Sequence, residues 1–210
     1  MVGFVESLAM LAGIRRRCFD IADDNVTVAG RGFRCCSPEV RNRLEQIGRT
    51  FLAGYRAAIA ECQLDELTEQ LKRHPSELKG FAYEGAAMGM ALLDGLLPWR
   101  RPRLGKFVAG SADRHIYVAH VGAGWAIARL PFGAKRILRQ LDPLLQSLAF
   151  DGYGFHQVYF AGAADFQSQT APPTFDRNAH RAFDQGLVCG RPLLDFSEQR
   201  PDQKRRRPRR

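Results

Sequence analysis

The sequence lacks the cysteine pattern of a disulfide framework or a zinc site. Its five cysteines are odd in number, include no C-x-x-C pair and have no histidine at zinc-finger spacing. They are Cys18, Cys35, Cys36, Cys62 and Cys189. Signatures of nucleotide-binding proteins, zinc proteases and G-x-S-x-G hydrolases are absent as well. We therefore expect no bound metal and no cofactor.

Long hydrophobic runs are also missing. No apolar stretch approaches the roughly 18 residues that a membrane-spanning helix requires. The first nineteen residues place their basic cluster after the apolar stretch, which is the reverse of the order in a secretory signal. These absences predict a cytoplasmic protein with no membrane span.

Most of the positive charge is concentrated at one end of the chain. The formal net charge is +9, and seven basic and two acidic residues between Ser197 and Arg210 supply +5 of it. The remainder is only weakly basic, so a nucleic-acid partner is not expected. Because its terminal part has almost no apolar surface to offset the entropy of ordering, the segment 191–210 is predicted to be a disordered basic tail.

Capped apolar segments at helical spacing predict a mainly α protein. An irregular lead-in at 1–34 precedes a helical domain at 35–190, in which Ser37, Asp113, Asp142 and Asp176 stand at helix N-cap positions. Helices are expected at about 38–61, 65–74, 77–97, 114–130, 143–160 and from 177 onward, with the helical pattern lost after Gly190. The β-branched residues of 114–130 leave a strand as the alternative there.

Four of the apolar segments share a glycine followed by small or aromatic residues. These glycines are Gly85, Gly122, Gly152 and Gly186, separated by 37, 30 and 34 residues. Such steps are typical of helix-pair repeats, although glycine-rich buried helices would also produce them by chance. The pattern predicts an irregular helical bundle or a loose helix-pair repeat array with glycine-rich buried helices.

The blocks FAYEGAAMGMALLDGL, VAHVGAGWAIARL, DGYGFH and RAFDQG occur in this order. With them the chain resembles a bacterial family of enediyne biosynthesis proteins, a domain of unknown function, from about Gly32 to Gly186. The resemblance implies a protein encoded with polyketide pathways that acts on or near a polyketide-derived intermediate. Family members continue after FDQG with further glycine-rich helices, whereas Arg- and Pro-rich sequence follows here. The difference suggests a truncated or frame-shifted C-terminus.

Four ionisable residues interrupt the apolar, glycine-rich segments. They are Glu84, His120, Asp151 and His156. Burying an unpaired carboxylate is costly and raises its pKa, so such residues are retained for structural pairing or for chemistry. The two carboxylates either meet a substrate as acid, base or hydrogen-bond acceptor, or they brace a neighbouring helix. The two histidines are either site residues or satisfied core histidines.

The spacing of Asp151 and His156 decides how they can act together. Two residues five positions apart on one helix point in directions that differ by roughly 140°, so Asp151 and His156 cannot pair with each other on the same helix. An acid–base pair must therefore involve residues of two different helices. His156 shares a face with Gly152, four residues earlier, and that bare backbone suggests room for a ligand. Aromatic residues nearby either wall a pocket for an aromatic or polyene molecule or simply form the core. They are Tyr83, Trp125, Tyr153, Phe155 and Tyr159.

Two functions remain open on these grounds. The first is an acid/base-assisted cyclisation or carbon–carbon bond formation on a hydrophobic polyketide intermediate. The second is a non-catalytic, chaperone-like protein that holds such an intermediate or contacts another pathway protein. Expected partners are therefore a hydrophobic small molecule or a second pathway protein, and a homo-oligomer is an additional possibility.

Overall fold

The computed structural model describes residues 19–32, 37–60, 63–97, 101–161 and 176–198, together with positions 13, 17 and 99. Within these residues the protein is mainly α-helical and contains no strand, so the predicted fold class is confirmed. The helices are α1 (Pro38–Ala60), α2 (Leu64–Lys72), α3 (Ser76–Leu96), α4 (Leu104–Lys106), α5 (Ile116–Ala128), α6 (Ala134–Leu138), α7 (Gln146–Ala161) and α8 (Arg177–Glu198).

Short turns of other helix types complete the secondary structure. Residues Asp23–Val26 and Asp113–His115 form 3-10 turns, and Phe107–Ser111 forms a π-helical turn. Among the described helices, none is both long and apolar enough to cross a membrane.

Two of the predicted N-caps are confirmed and two begin other structures. The Ser37 hydroxyl accepts the Val40 N–H at 3.3 Å, and the Asp176 carboxylate accepts the Ala179 N–H at 2.8 Å. Asp142 instead accepts the N–H of Leu144, two residues ahead, and α7 begins only at residue 146. Such a local side-chain bond competes with helix formation. Asp113 opens a 3-10 turn, and the segment after it is helical, so the strand alternative is wrong.

The five long helices α1, α3, α5, α7 and α8 lie side by side in chain order. All five helices run in the same direction, because residues further along one helix contact residues further along its neighbour. Gly54 packs against Ala82 on α3, and further along both helices Gly89 packs against Ala58. Parallel neighbours need a return segment between them, and α2, α4 and α6 lie in such segments. Within the described residues the long helices form an array, and short helices lie in the connections between the first four of them.

A glycine is pressed against a backbone carbonyl at every interface between adjacent long helices. A Cβ at these positions would lie only 1.9–2.2 Å from the facing carbonyl oxygen. The facing pairs are Gly54 with Ala82, Gly85 with Phe51, Gly122 with Glu84, Gly124 with Ala149, Gly152 with Val121, Gly154 with Phe183 and Gly186 with Asp151. The four recurring glycines of the sequence thus occupy equivalent positions, as expected of a repeat. Close approach of this kind permits Cα–H···O contacts between helices.

The last helix is longer than the sequence analysis predicted. Helix α8 continues to Glu198, eight residues beyond Gly190, the residue after which the sequence predicts no helix. Phe183, Leu187, Gly190 and Leu194 follow at steps of four, three and four residues, which is a helical spacing that carries through Pro192. Extending a formed helix is also easier than nucleating one. Residues 199–210, and with them most of the predicted tail, lie outside the described residues.

Candidate functional site

An apolar cavity of about 210 Å³ lies between the helices and the lead-in segment. Helices α1, α3, α5 and α7 supply its walls, and residues 21–28 cover it from the N-terminal side. An apolar cavity of roughly 150 Å³ in another protein accommodates benzene, so this one has room for a larger unsaturated molecule. The cavity is the candidate functional site.

Trp125 forms the centre of the aromatic wall. Its ring centroid lies 5.1 Å from Phe51 of α1, 5.6 Å from Phe155 and 5.5 Å from Tyr159 of α7. Among the described residues its indole Nε1 has no hydrogen-bond partner, although the atom is buried. A buried N–H without an acceptor is unfavourable, so a polar atom of a bound molecule would stabilise it.

Glu84 is the one carboxylate among the described residues that line the cavity. It stands directly before Gly85, whose close packing fixes α3 against α1. The side chain keeps some accessible surface, and as a lining residue it is positioned to expose that surface to the apolar cavity. Burial raises the pKa of Glu84 to about 8, and the nearby Asp151 carboxylate adds to the increase. At neutral pH the group is therefore mostly a neutral acid that can donate a hydrogen bond.

Asp151 holds on α7 the position that Glu84 holds on α3, directly before a key glycine. Its Oδ1 is buried and has no hydrogen-bond partner within the described part of the chain. Burial raises the pKa of Asp151 above its usual value. The tertiary structure thus brings two predicted acid–base residues close enough for one charge to act on the other. Asp151 itself is not one of the residues that line the cavity.

His120 is fully buried and has both ring nitrogens engaged. Its Nδ1 donates to the Ile116 carbonyl oxygen at 2.7 Å, and its Nε2 accepts the Asp142 N–H at 3.1 Å. The His120 ring therefore links helix α5 to the turn that precedes α7 through hydrogen bonds. Of the two interpretations of this residue, the geometry supports the structural one.

Replacing His120 with leucine is expected to lower the free energy of unfolding by about 0.5–1.5 kcal/mol, because the hydrogen bond between the Asp142 N–H and the His120 ring is lost. Urea denaturation followed by circular dichroism measures the change. Binding of small molecules in the cavity should be unaffected. A variant of normal stability that no longer binds them would instead assign His120 to the site.

His156 lies behind the aromatic wall and does not line the cavity. It is 6% exposed, and neither ring nitrogen has a hydrogen-bond partner among the described residues. Its ring meets Trp125 edge-on at 5.4 Å and Phe160 at 4.5 Å. Burial lowers the pKa of His156 to about 3, helped by the positive charges of Arg129 and Arg31. The imidazole is therefore neutral at physiological pH.

The expected room for a ligand beside His156 does not exist. A Cβ on Gly152 would lie 2.2 Å from the Val121 carbonyl oxygen, so α5 fills the space over this backbone. The prediction was wrong because a bare helical patch is as useful for packing another helix as for binding a ligand.

The predicted aromatic residues divide into two groups. Trp125, Phe155 and Tyr159 line the cavity. Tyr83 instead stacks on Phe107 at 5.7 Å, and Tyr153 packs against Phe183 at 5.6 Å. Neither of these two tyrosines lines the cavity, because both point to other faces of α3 and α7.

Sequence reasoning missed three aromatic residues of the cavity, namely Phe51, Phe81 and Phe160. Phe81 stands three residues before Glu84 on the same helix, and that spacing was a usable signal. No comparable signal pointed to Phe51, which meets Trp125 from a helix two positions away in the array.

The lead-in segment was predicted to be irregular, and the structure gives it a definite place. Ile21, Val26 and Val28 provide the apolar surface that covers the cavity. The Tyr159 hydroxyl donates to the Asn25 carbonyl oxygen at 2.9 Å. On the other side, Arg56 of α1 binds two lead-in carboxylates, those of Asp20 and Asp23, each at 2.8 Å. The segment therefore connects α1 to α7 across the cavity.

Within the described ranges, no group of three or more His, Cys, Asp or Glu side chains lies close enough together to hold a metal ion. Among the described residues, those that line the cavity supply aliphatic and aromatic side chains, the Thr27 side chain, one indole N–H and one carboxyl group.

A family model described as a protein of unknown function (DUF1702) matches residues 10–196. The match begins earlier and ends later than the resemblance found from the sequence, and it includes ten residues after Gly186 that were expected to depart from the family. No curated protein and no solved structure matches the chain. All of the long helices of the array and the lead-in over the cavity fall within the matched range, apart from the last two residues of α8. The chain therefore belongs to the family of proteins of unknown function DUF1702.

Proposed function

We propose that this protein binds an unsaturated, hydrophobic small molecule in the cavity and that Glu84 meets a polar atom of that molecule as a neutral acid. One observation carries the proposal: the described residues of an apolar, aromatic cavity include a single carboxyl group, whose pKa is raised to about 8. A carboxylic acid that stays protonated at neutral pH donates a hydrogen bond to a carbonyl or enolate oxygen.

The chemistry proposed for the site is acid/base-assisted cyclisation or carbon–carbon bond formation. A hydrogen bond from Glu84 would stabilise negative charge that develops on a carbonyl oxygen, and it would act in an apolar environment where such a bond is strong. The Asp151 carboxyl group influences Glu84 electrostatically and is a candidate for a second proton acceptor. These roles need no redox step.

The identity of the molecule is proposed from sequence resemblance. The blocks FAYEGAAMGMALLDGL and DGYGFH resemble proteins of enediyne biosynthesis, so the ligand is proposed to be an intermediate of an enediyne-type polyketide pathway. An aromatic-walled cavity suits an unsaturated, hydrophobic intermediate.

A non-catalytic role in binding the same intermediate is the second candidate. It is favoured by the positions of the other predicted acid–base residues, since His120, Asp151 and His156 do not line the cavity. A single acidic group suffices to orient a ligand, whereas proton transfer in two directions needs a second group or water.

Binding is tested with octa-3,5-dien-2-one, a conjugated ketone, as the probe. In a Trp99→Phe variant the remaining tryptophan, Trp125, reports on the cavity, because Trp99 is 78% exposed and dispensable for packing. We expect the probe to quench Trp125 fluorescence and to bind more weakly as the pH rises through about 8, where Glu84 loses its proton.

In this background, Glu84→Gln should bind the probe with little dependence on pH, because an amide remains a donor. Glu77→Gln, at an exposed position of the same helix, should behave like the parent. The absence of any quenching would reject the cavity as the site, and an unchanged pH profile in Glu84→Gln would reject the role of Glu84.

Deuterium exchange separates catalysis from binding. The probe is incubated in D₂O with the protein, and proton NMR follows exchange at the carbons acidified by its carbonyl group. Catalysed exchange that disappears in Glu84→Gln supports acid–base chemistry. Stoichiometric binding without exchange supports the binding role.

A further inference from the structure

Two arginine side chains lie against the aromatic residues at one edge of the cavity. The guanidinium carbon of Arg31 is 5.2 Å from the centroid of the Tyr159 ring and 5.0 Å from that of Phe160. The guanidinium carbon of Arg129, at the end of α5, is 5.8 Å from the Phe160 centroid. Both rings line the cavity, whereas the Arg129 side chain itself lines a smaller pocket together with Asp20 and Tyr55.

No described residue of the inner wall of the cavity offsets this positive charge at neutral pH. Glu84, the only carboxylate among the described lining residues, is mostly protonated there. The electrostatic influence of Arg31 and Arg129 also reaches His156 behind the wall, where it opposes protonation of the ring. The cavity is therefore neutral inside and positive at one edge.

Arg129 is free to contact an anion. Its side chain is exposed, and it forms no hydrogen bond or ion pair with any residue in the described part of the chain. Its contact with the Phe160 ring holds the guanidinium beside the cavity. Arg31 already donates a hydrogen bond to the Tyr159 carbonyl oxygen. Its main contribution to this edge of the cavity is therefore its positive charge.

We propose that the natural ligand is an unsaturated carboxylic acid, whose conjugated chain lies in the cavity and whose carboxylate binds Arg129 at the edge. This inference rests on the proposed function and specifies its substrate class. A guanidinium fits a carboxylate because its planar N–H groups can donate two parallel hydrogen bonds. An amphipathic anion of this kind matches both the apolar interior and the positive edge.

The test compares octa-2,4,6-trienoic acid, which is ionised at pH 7, with the uncharged octa-2,4,6-trien-1-ol. Both are titrated into the Trp99→Phe protein at low salt, and quenching of Trp125 gives each Kd. We expect the acid to bind about fivefold more tightly than the alcohol, which is the upper range for an exposed ion pair. The preference should decrease as salt is added.

Variants of Arg129 identify the source of the preference. Arg129→Gln should remove the preference for the acid and leave the Kd of the alcohol unchanged, whereas Arg129→Lys should keep part of it. Arg139→Gln removes the same charge from an exposed position directly after α6 and should retain the full preference. Circular dichroism of each variant establishes that it is folded.

Each failure has its own meaning. Equal affinity for the two probes in the parent, or a preference that survives Arg129→Gln, overturns the carboxylate assignment and leaves the cavity proposal intact. If neither the alcohol nor the dienone binds, the proposed function fails together with this inference.

Discussion

Replacing Gly85 with alanine is expected to lower the free energy of unfolding by more than about 2 kcal/mol, although only one methyl group is added. The new Cβ would lie 1.9 Å from the Phe51 carbonyl oxygen and 3.0 Å from the Tyr55 backbone nitrogen. Both neighbours are backbone atoms of α1, so they cannot move aside as the end of a side chain would. The two helices must separate. Thermal and urea denaturation of the variant measure the loss.

Gly80 on the same helix provides the matched control. A Cβ there would approach only the Nδ1 of His115, at 3.9 Å. Gly80→Ala should therefore keep or raise stability, because alanine is favoured over glycine inside a helix by up to about 1 kcal/mol. Equal stability of the Gly85→Ala protein and the parent would show that α1 and α3 do not pack as closely as described. Gly122→Leu should be at least as destabilising, since Gly122 faces the Glu84 carbonyl oxygen in the same way.

The Glu84→Gln variant is expected to remove a large part of the pH dependence of stability. In the folded protein the pKa of Glu84 is raised to about 8, against 4.5 for the ordinary side chain. Between these values the folded state holds a proton that the unfolded state has released, so raising the pH favours unfolding. The stabilising contribution is complete below about pH 4.5 and is lost as the pH rises through about 8. Between pH 5 and pH 9 we expect it to change stability by about 2–4 kcal/mol.

Urea denaturation at pH 5.5, 7 and 9 tests this expectation in the parent, Glu84→Gln and Glu77→Gln proteins. The parent and Glu77→Gln should lose stability over this range, and Glu84→Gln should lose clearly less. Asp151 remains in all three proteins and acts in the same direction, since burial also raises its pKa. If the three profiles coincide, the Glu84 carboxyl group is as well solvated in the folded state as in the unfolded one.

The candidate site was only partly predictable. Glu84 was recognisable because a carboxylate inside an apolar helical segment needs an explanation, and Trp125, Phe155 and Tyr159 were recognisable as aromatic residues in such segments. The same argument selected His120, whose two nitrogens are engaged in backbone hydrogen bonds. Residue type and helical spacing are the same for a ring that lines a cavity and for one that fastens a turn. Their difference lies in which neighbours the fold brings to them.

The position of the lead-in segment is the feature of the structure that local sequence patterns predict least well. Its sequence is irregular, and no periodicity connects it to a particular helix. In the structure, Tyr159 donates to the carbonyl oxygen of Asn25, 134 residues away, and Arg56 binds Asp20 and Asp23, more than 30 residues away. Contacts over such distances along the chain have no local sequence signature, so the cover of the cavity was not foreseen.

The amino-acid sequence by itself determined that this chain is mainly helical, where most of its long helices begin and which glycines lie on buried faces. These are local properties, set by capping residues and by the spacing of apolar and small side chains along one helix. Only the tertiary structure decided that the helices stack in parallel, that Glu84 and Trp125 share a cavity while His156 lies behind its wall, and that two arginines flank that cavity. Close packing of each glycine against a carbonyl of the next helix sets the position of every helix in the array, and those positions determine which side chains meet.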